Sequence, residues 1–183
     1  MAASGKSTVA RKIAEKYGLT FVSGGDTLKA LALKEGYEPT HFGWWESKEG
    51  MLFLANRRRD SKFDEEVDKE LLSLAKKGNV VLDSWTMPWL LKRGFKIWLE
   101  ASPKKRVRRI AERDRMSFKE AFEALKNKES ETKAIYKKLY GFSLGEDFEP
   151  FDFVLDTDNL DRDQVLQVLS VMLDRVILAS ASS

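Results

Sequence analysis

The chain has 183 residues, of which 43 % are hydrophobic and 33 % are charged, and its formal net charge is +3. This size and composition suit a single domain over residues 1–183 with its own core, and they exclude a disordered chain. The absence of cysteine excludes disulfides, thiolate metal sites and a cysteine nucleophile. Because no apolar run approaches the ~20 residues of a membrane span and no signal-peptide pattern is present, we expect a cytoplasmic protein with no membrane partner.

Helix and strand patterns alternate along the chain, which is typical of an α/β fold with a parallel sheet. The predicted elements in chain order are a helix over 7–17, a strand over 19–22, helices over 26–34 and 63–77, strands over 79–83 and 95–99, helices from 103 and from 117 to about 140, a strand over 153–155 and a last helix capped by Asp161. Ser102 and Pro103 are a typical helix start, and Ser117 with Glu120 predicts a capping box. The segment 37–61 is expected to be irregular.

The first predicted helix opens with Ser4-Gly5-Lys6-Ser7-Thr8, which is the second half of a Walker A phosphate-binding motif. Gly5 lets the backbone approach phosphate oxygens, and the free N–H groups of the helix N-terminus bind the anion. Lys6 is predicted to bridge the β- and γ-phosphates of ATP, and the Ser7 hydroxyl to ligate Mg²⁺. An ordinary N-cap followed by a surface lysine is the alternative. The predicted ATP-binding residues are Ala2, Ala3, Ser4, Gly5, Lys6, Ser7 and Thr8.

Only part of this motif lies within the sequence. In the full form, G-x-x-x-x-G-K-[ST], the first glycine would stand five residues before Gly5, ahead of Met1. The apolar strand that should lead into the loop is absent as well. We therefore expect the first strand of the sheet to be missing from the chain, which would leave the neighbouring strands with unpaired edges.

A carboxylate ends the apolar segment Val80-Val81-Leu82-Asp83, which resembles a Walker B strand. Open α/β sheets bind their ligands beyond the carboxyl ends of the strands, so Asp83 is predicted to hold Mg²⁺ or to accept a hydrogen bond from a substrate. A carboxylate that only caps the following turn is the alternative. Together with Lys6 and Ser7, it predicts a phosphoryl-transfer enzyme that uses ATP and Mg²⁺.

A family resemblance is carried by the segments ASGKSTVARKIAEKYG, FVSGGDTLKALA, NVVLDSWTMP, FKIWLEASPKKRVRRIAERD, KNKESETKAIYKKLYG and FDFVLDTDNL. In their order and spacing they resemble the nucleoside monophosphate kinases, and most closely the archaeal-type cytidylate kinases. The resemblance implies a P-loop NTPase fold, a three-layer α/β/α arrangement with a small acceptor-binding insert over about 24–78 and a helical lid over about 104–140. It also implies transfer of the γ-phosphate of ATP to a nucleoside monophosphate, most closely CMP or dCMP.

The same resemblance implies roles for individual side chains. Arg109 and Arg113 of the lid would act with Lys6 in stabilising charge on the transferred group. A solvated basic helix face is the alternative for the lid residues, and capping of the next helix is the alternative for Asp26. The acceptor-binding residues implied are Ser23, Gly24, Gly25, Asp26, Lys29, Asp83, Ser84, Trp85, Lys128 and Lys133.

The chain departs from the family pattern where the family carries arginine, namely at Lys29, at Lys128, at Lys133 and around Ser84-Trp85. Lysine does not reproduce the planar bidentate contacts of arginine, so these changes predict a different monophosphate or weaker binding. The stretch 41–45, which contains two tryptophans, is open to two interpretations, a wall of the acceptor pocket or packing of the insert. His41 has no evident catalytic partner and is interpreted as structural.

Rival functions remain open at this point. One is a P-loop kinase for AMP or another small metabolite, and a second is a nucleotide-binding module without turnover. A third is an RNA-binding protein, but a net charge of only +3 and the lack of an RNA-binding signature argue against it. We expect the partner to be a small nucleotide acceptor, with no nucleic acid bound, and the protein to be a monomer.

Overall fold

A computed structural model describes residues 1–39 and 44–181 of the protein, so the interpretation of His41 and its two following residues lies outside the described residues. The helices are α1 (Lys6–Tyr17), α2 (Gly24–Lys34), α3 (Lys48–Arg59), α4 (Lys62–Lys77), α5 (Met87–Leu90), α6 (Pro103–Asp114), α7 (Phe118–Tyr140) and α8 (Arg162–Ala181), with a 3₁₀ turn at Trp44–Glu46. The strands are β1 (Thr20–Ser23), β2 (Val80–Asp83), β3 (Ile97–Glu100) and β4 (Phe153–Asp156). The predicted α/β alternation is therefore confirmed.

Helix ends follow the predicted capping signals. The Ser102 hydroxyl accepts from the Lys105 backbone N–H, with Pro103 in the first turn of α6. At the start of α7 the Ser117 hydroxyl accepts from the Glu120 N–H, and the Glu120 carboxylate accepts from the Ser117 N–H at 2.8 Å. The capping box is confirmed, and it satisfies backbone donors that have no partner inside the helix.

Replacing Ser117 by alanine is expected to lower the free energy of unfolding by about 1 kcal/mol, since the first turn of α7 loses its side-chain acceptor. Urea denaturation followed by circular dichroism measures this change. Ser130→Ala is the matched control, because Ser130 is exposed in the middle of the same helix, where alanine is the better helix former. A loss of equal size in both variants would contradict the capping argument.

The segment 37–61 is not irregular throughout, so that prediction is wrong for residues 48–59. Helix α3 begins after Ser47, whose hydroxyl accepts from the Gly50 N–H at 3.1 Å. The buried residues of α3 have helical spacing and are Gly50, Phe53, Leu54 and Arg57. Only the two central ones have large apolar side chains, so the sequence does not show the apolar repeat that predicts a helix. Gly50 is needed there because a Cβ would lie 1.9 Å from the Trp44 carbonyl oxygen.

The described strands pair in parallel but form two separate two-stranded sheets, β1 with β2 and β3 with β4. The prediction of parallel strands is confirmed, whereas a single continuous sheet is not formed by the described residues. Helix α1 connects the two pairs, because Val9 and Ile13 pack in one apolar cluster with Val81 and Leu99. The expectation of a strand ahead of Met1 stays a prediction.

The polar ends of β1 and β2 lie side by side, with Ser23 and Asp83 as register partners. Helix α1 contacts both of these strands, and α2 and α4 pack beside them. The loop before α1 and the carboxyl ends of two strands therefore meet in one place. None of the helices within residues 1–39 and 44–181 combines the length and apolarity that crossing a membrane requires.

Candidate active site

The loop before α1 has the backbone shape that a phosphate site needs. Gly5 has φ +97°, a left-handed conformation that favours glycine, and it offers no side chain to cap α1. The first amides of α1 are consequently not used by a capping side chain. The Ser4 hydroxyl and Lys6 Nζ donate to the Met1 carbonyl oxygen at 3.1 and 3.0 Å, which draws the loop around the Lys6 ammonium.

The end of β2 faces the start of α1. The Ser7 hydroxyl donates to Asp83 Oδ2, and Lys6 Nζ lies 4.0 Å from Asp83 Oδ1. The Asp83 side chain is only 8 % exposed, and Lys6 Nζ also lies 5.5 Å from the centroid of the Trp85 ring. Ser7 and Asp83 are 76 residues apart in the sequence. The fold thus brings Asp83 together with Lys6 and Ser7.

These three residues line a cleft of about 400 Å³ between α1, α2, α4 and α7. Gly24 fits closely at its edge, because a Cβ there would lie 3.3 Å from Leu71 Cδ1. The predicted site residues that line the cleft are Ala2, Ala3, Lys6, Ser7, Ser23, Gly24, Gly25, Asp26, Lys29, Asp83, Ser84, Trp85, Arg113 and Lys128.

The remaining predicted residues lie elsewhere. Ser4 is buried within the loop and Thr8 is exposed on α1. Arg109 supports the loop from behind, because its guanidinium donates to the Ala3 carbonyl oxygen at 3.1 Å. Lys133 Nζ donates to Glu146 at 3.0 Å on the exposed side of α7. The observed contact of Lys133 is therefore with a residue that does not line the cleft.

The capping interpretation of Asp26 is wrong. Helix α2 begins at Gly24, and its N-cap is Ser23, whose hydroxyl accepts from the Asp26 N–H at 3.2 Å. The Asp26 carboxylate is exposed and lines the cleft. Its side chain is consequently available for a ligand rather than used to start the helix.

The arginines of α6 contact the phosphate loop through its carbonyl groups. Arg106 is buried, and its Nε donates to the Ala101 carbonyl oxygen at 3.0 Å while its NH1 lies 3.5 Å from the Ala2 carbonyl oxygen. Arg106 also pairs with Glu129 of α7. Arg113, one turn beyond Arg109, lines the cleft and pairs with the neighbouring Asp114 carboxylate at 2.7 Å. Helix α6 therefore positions the loop and places one guanidinium at the cleft.

A polar wall of the cleft was not predicted from the sequence. Arg57 and Asp64 form a buried ion pair, 3 % and 4 % exposed, with Arg57 Nε donating to Asp64 Oδ2 at 3.1 Å. Burial works against the charge of Arg57, but the Asp64 carboxylate and the Tyr136 hydroxyl together outweigh burial and raise the pKa of Arg57. The cleft residues that sequence reasoning missed are Arg11, Leu28, Leu54, Arg57, Asp64, Val67, Asp68, Thr86, Ile110, Thr132 and Tyr136.

A signal for this wall exists in the sequence. Asp64 and Asp68 are four residues apart and lie on the same face of α4 as Val67 and Leu71, which are buried. Charged residues on the buried stripe of a helix are rare unless they are paired, so such a position indicates a partner or a site. The partner Arg57 could not be identified in this way, because its own helix was not predicted.

The oxygen atoms of Ser7 and Asp83 are suitable ligands for Mg²⁺. This ion prefers oxygen donors, and it is commonly bound by one or two protein groups together with substrate phosphates and water. Within the described residues, no group of three or more His, Cys, Asp or Glu side chains forms a closed cation site. A hydroxyl and a carboxylate that already touch are compatible with a shared metal of this kind.

A glycine-lysine-serine loop in contact with a strand-end aspartate at one cleft, in an α/β fold with parallel strands, defines the class of ATP-dependent phosphotransferases. Comparison with known proteins leads to the family. The model of the cytidylate kinase-like family matches residues 1–159. The chain belongs to this family.

Individual relatives agree with the family match. The chain is 30 % identical over 177 residues to a protein of Pyrococcus horikoshii named cytidylate kinase, covering 96 % of this chain and 86 % of the relative. A protein of the same name from Ignicoccus hospitalis is 33 % identical over 172 residues, covering 93 % of both chains. An uncharacterized protein from Eubacterium ventriosum, known from a crystal structure, is 15 % identical with a TM-score of 0.56, covering 94 % of this chain and 92 % of that chain. The last match supports the fold alone.

Proposed function

We propose that this protein transfers the γ-phosphoryl group of ATP to CMP or dCMP, giving ADP and the diphosphate. The observation that carries the proposal is the meeting of Lys6, Ser7 and Asp83 at a cleft large enough for small substrates. Family membership and the relatives named cytidylate kinase support the choice of acceptor. The proposal includes the three-layer arrangement of a P-loop kinase, because α1 packs against both strand pairs.

On the ATP side, the phosphate loop supplies backbone N–H donors and the Lys6 ammonium. Lys6 Nζ donates to the Met1 carbonyl oxygen, and phosphate oxygens would replace that neutral acceptor with a charged one. The first amides of α1 add further donors at the positive end of the helix dipole. Arg109 holds the Ala3 carbonyl and so stabilises the shape of the loop. The Arg113 guanidinium lies at the cleft, where a phosphate would compete with Asp114 for it.

Mg²⁺, when bound, would offset charge on the phosphates, and Ser7 and Asp83 are the residues that would hold it. Replacing Asp83 by asparagine keeps the shape of the side chain but removes its charge. The concentration of Mg²⁺ needed for half-maximal activity is expected to rise by about tenfold or more, because binding of Mg²⁺ relies on carboxylate oxygens.

A Mg²⁺ titration of the initial rate at saturating ATP measures the effect. Asp156→Asn is the matched control, since Asp156 also ends a strand but is exposed and does not line the cleft. An unchanged titration curve for Asp83→Asn would remove Asp83 from the metal site.

On the acceptor side, the start of α2 would hold the monophosphate through Ser23, Gly24, Gly25, Asp26 and Lys29, with Ser84 and Trp85 beside them. The acceptor phosphate is already an anionic nucleophile, so no general base is required. Positioning and electrostatic stabilisation would then supply the acceleration. Lys29 and Lys128 contribute charge as single points, without the bidentate geometry of arginine.

The proposed insert (about 24–78) and lid (about 104–140) approach each other across the cleft. Lys128 Nζ of α7 lies 5.1 Å from the centroid of the Trp45 ring, and Arg58 of α3 donates to Glu131 of α7 at 3.1 Å. These contacts join the two segments, and with substrates in the cleft they would help to exclude water during transfer. Trp45 lines the cleft, which favours its interpretation as a pocket wall.

An acceptor panel tests the function. The purified protein is incubated with ATP, Mg²⁺ and one of CMP, dCMP, UMP or AMP, and ADP release is followed by a coupled assay. We expect the highest kcat/KM with CMP or dCMP. Binding of ATP without transfer to any acceptor would overturn the proposal and favour a nucleotide-binding module.

A further inference from the structure

Three hydroxyl groups, of buried Thr86 and half-buried Ser84 and Tyr140, form a hydrogen-bonded network that ends on Asp68 in the polar wall of the cleft. Thr86 Oγ1 donates to Asp68 Oδ1 and the Tyr140 hydroxyl donates to Asp68 Oδ2, both at 2.5 Å. The Ser84 hydroxyl lies 3.1 Å from Thr86 Oγ1 and accepts from the Thr86 and Met87 backbone N–H groups. Thr86 has a single O–H proton, which it gives to Asp68, so Ser84 must donate to Thr86. Each of the three hydroxyl groups therefore directs its proton toward Asp68, Ser84 through Thr86 and the other two directly.

In its ionised form Asp68 therefore has acceptor capacity left and no proton to donate. A carboxylate offers about four lone-pair positions, and the two hydroxyl groups occupy one on each oxygen. Asp64, one turn earlier on α4, differs because Arg57 binds both of its oxygens and neutralises its charge. Asp68 is bound by neutral hydroxyls, is 5 % exposed and still lines the cleft.

Such a group is unfavourable as a purely structural feature. Burial raises the pKa of Asp68 above its usual value, and the charge of Asp64 adds to this rise. The hydrogen bonds from Thr86 and Tyr140 and the charge of Arg57 lower the pKa, but by less. The folded protein therefore holds the Asp68 proton more tightly than the unfolded chain does. Ionisation of Asp68 disfavours folding as the pH rises through this pKa, which is typical of groups kept for a site.

We propose that Asp68 selects the base of the acceptor nucleotide by accepting a hydrogen bond from its exocyclic amine. Cytosine carries an amine at the position where uracil carries a carbonyl oxygen, and a carbonyl oxygen facing a carboxylate would leave two acceptors opposed without a proton. Asp68 is thereby a specificity-determining residue that favours CMP over UMP. The inference rests on the proposed function.

The test measures kcat/KM for CMP and for UMP in the wild type and in Asp68→Asn. Asparagine keeps the shape and can still accept from Thr86 Oγ1, while its amide can donate to a carbonyl oxygen of the base. The CMP/UMP ratio is expected to fall by at least about tenfold, because the preferred base loses its acceptor and the other gains a donor. The melting temperature is expected to be no lower than that of the wild type.

Asp60→Asn is the matched control, since Asp60 follows α3 with a side chain that is 56 % exposed and does not line the cleft. It removes the same charge and is expected to leave the ratio unchanged. A purely structural role of Asp68 predicts the opposite pattern for Asp68→Asn, a lower melting temperature with an unchanged ratio. An unchanged ratio in a folded Asp68→Asn variant overturns the inference.

Two further measurements test base selection when Asp68→Asn does not fold, and separately from turnover. If Asp68→Asn does not fold, Tyr140→Phe is the second variant, because it keeps the carboxylate but removes one of the two donors that orient it. The CMP/UMP ratio of kcat/KM is then expected to fall about threefold. An unchanged ratio in this variant would overturn the inference. Calorimetric titration with CMP and with UMP reports base preference without turnover. A wild type that prefers CMP in binding but transfers no phosphate would contradict the proposed function alone.

Discussion

Replacing Lys6 by alanine is expected to lower kcat by about a thousandfold or more while the fold is retained. The Lys6 ammonium lies between the Met1 carbonyl oxygen and the Asp83 carboxylate, at the start of α1. In phosphoryl transfer a cation at this position stabilises charge that spreads over the transferred group, and few other groups can compensate for its loss. Steady-state kinetics with ATP and CMP measure the effect, with circular dichroism as the check on folding.

Lys12→Ala is the matched control for this experiment. Lys12 lies on the same helix, is 41 % exposed and pairs with Asp163 at 2.8 Å outside the cleft. Its replacement is expected to leave kcat within about twofold of the wild type, because a surface ion pair contributes little. Turnover of Lys6→Ala within tenfold of the wild type would reject the assignment of the phosphate loop.

Replacing Asp64 by alanine is expected to lower the free energy of unfolding by about 3–5 kcal/mol, because it leaves the buried guanidinium of Arg57 without its carboxylate. Both side chains are 4 % exposed, so the guanidinium is poorly solvated, and no other carboxylate among the described residues replaces the lost partner. The pair also joins α3 to α4, since Arg57 belongs to the first helix and Asp64 to the second. Denaturant unfolding at neutral pH measures the loss.

The double variant Arg57→Met with Asp64→Leu separates the ion pair from simple packing. Replacing both partners by apolar groups of similar size removes the unpaired charge, and much of the stability is expected to return. A loss below about 1 kcal/mol in Asp64→Ala would contradict the buried pairing. A double variant that is less stable than Asp64→Ala would contradict the view that the unpaired charge causes the loss.

Local signals explain why most elements were predicted correctly. The capping box at Ser117 and Glu120 acts through neighbours in the sequence, and so does Gly18, which ends α1 in a left-handed conformation with φ +64°. Their effect can be read without the fold. The phosphate loop is readable for the same reason, because its glycine, lysine and serine are contiguous. Helix α3 was missed because Gly50 and Arg57 interrupt its apolar stripe, and both are explained only by contacts with Trp44 and Asp64.

By itself the sequence determined the α/β order, the phosphate loop and Asp83, because each depends on residues that are adjacent or at a regular spacing. Only the tertiary structure decided which side chains share the cleft. Asp64 and Asp68 carry a signal in the buried stripe of α4. Their partners Arg57, Thr86 and Tyr140 lie on other elements, and no local pattern specifies which of them meets which aspartate. It also decided that Ser23 rather than Asp26 caps α2, since two polar residues near one helix start compete and the backbone geometry selects between them.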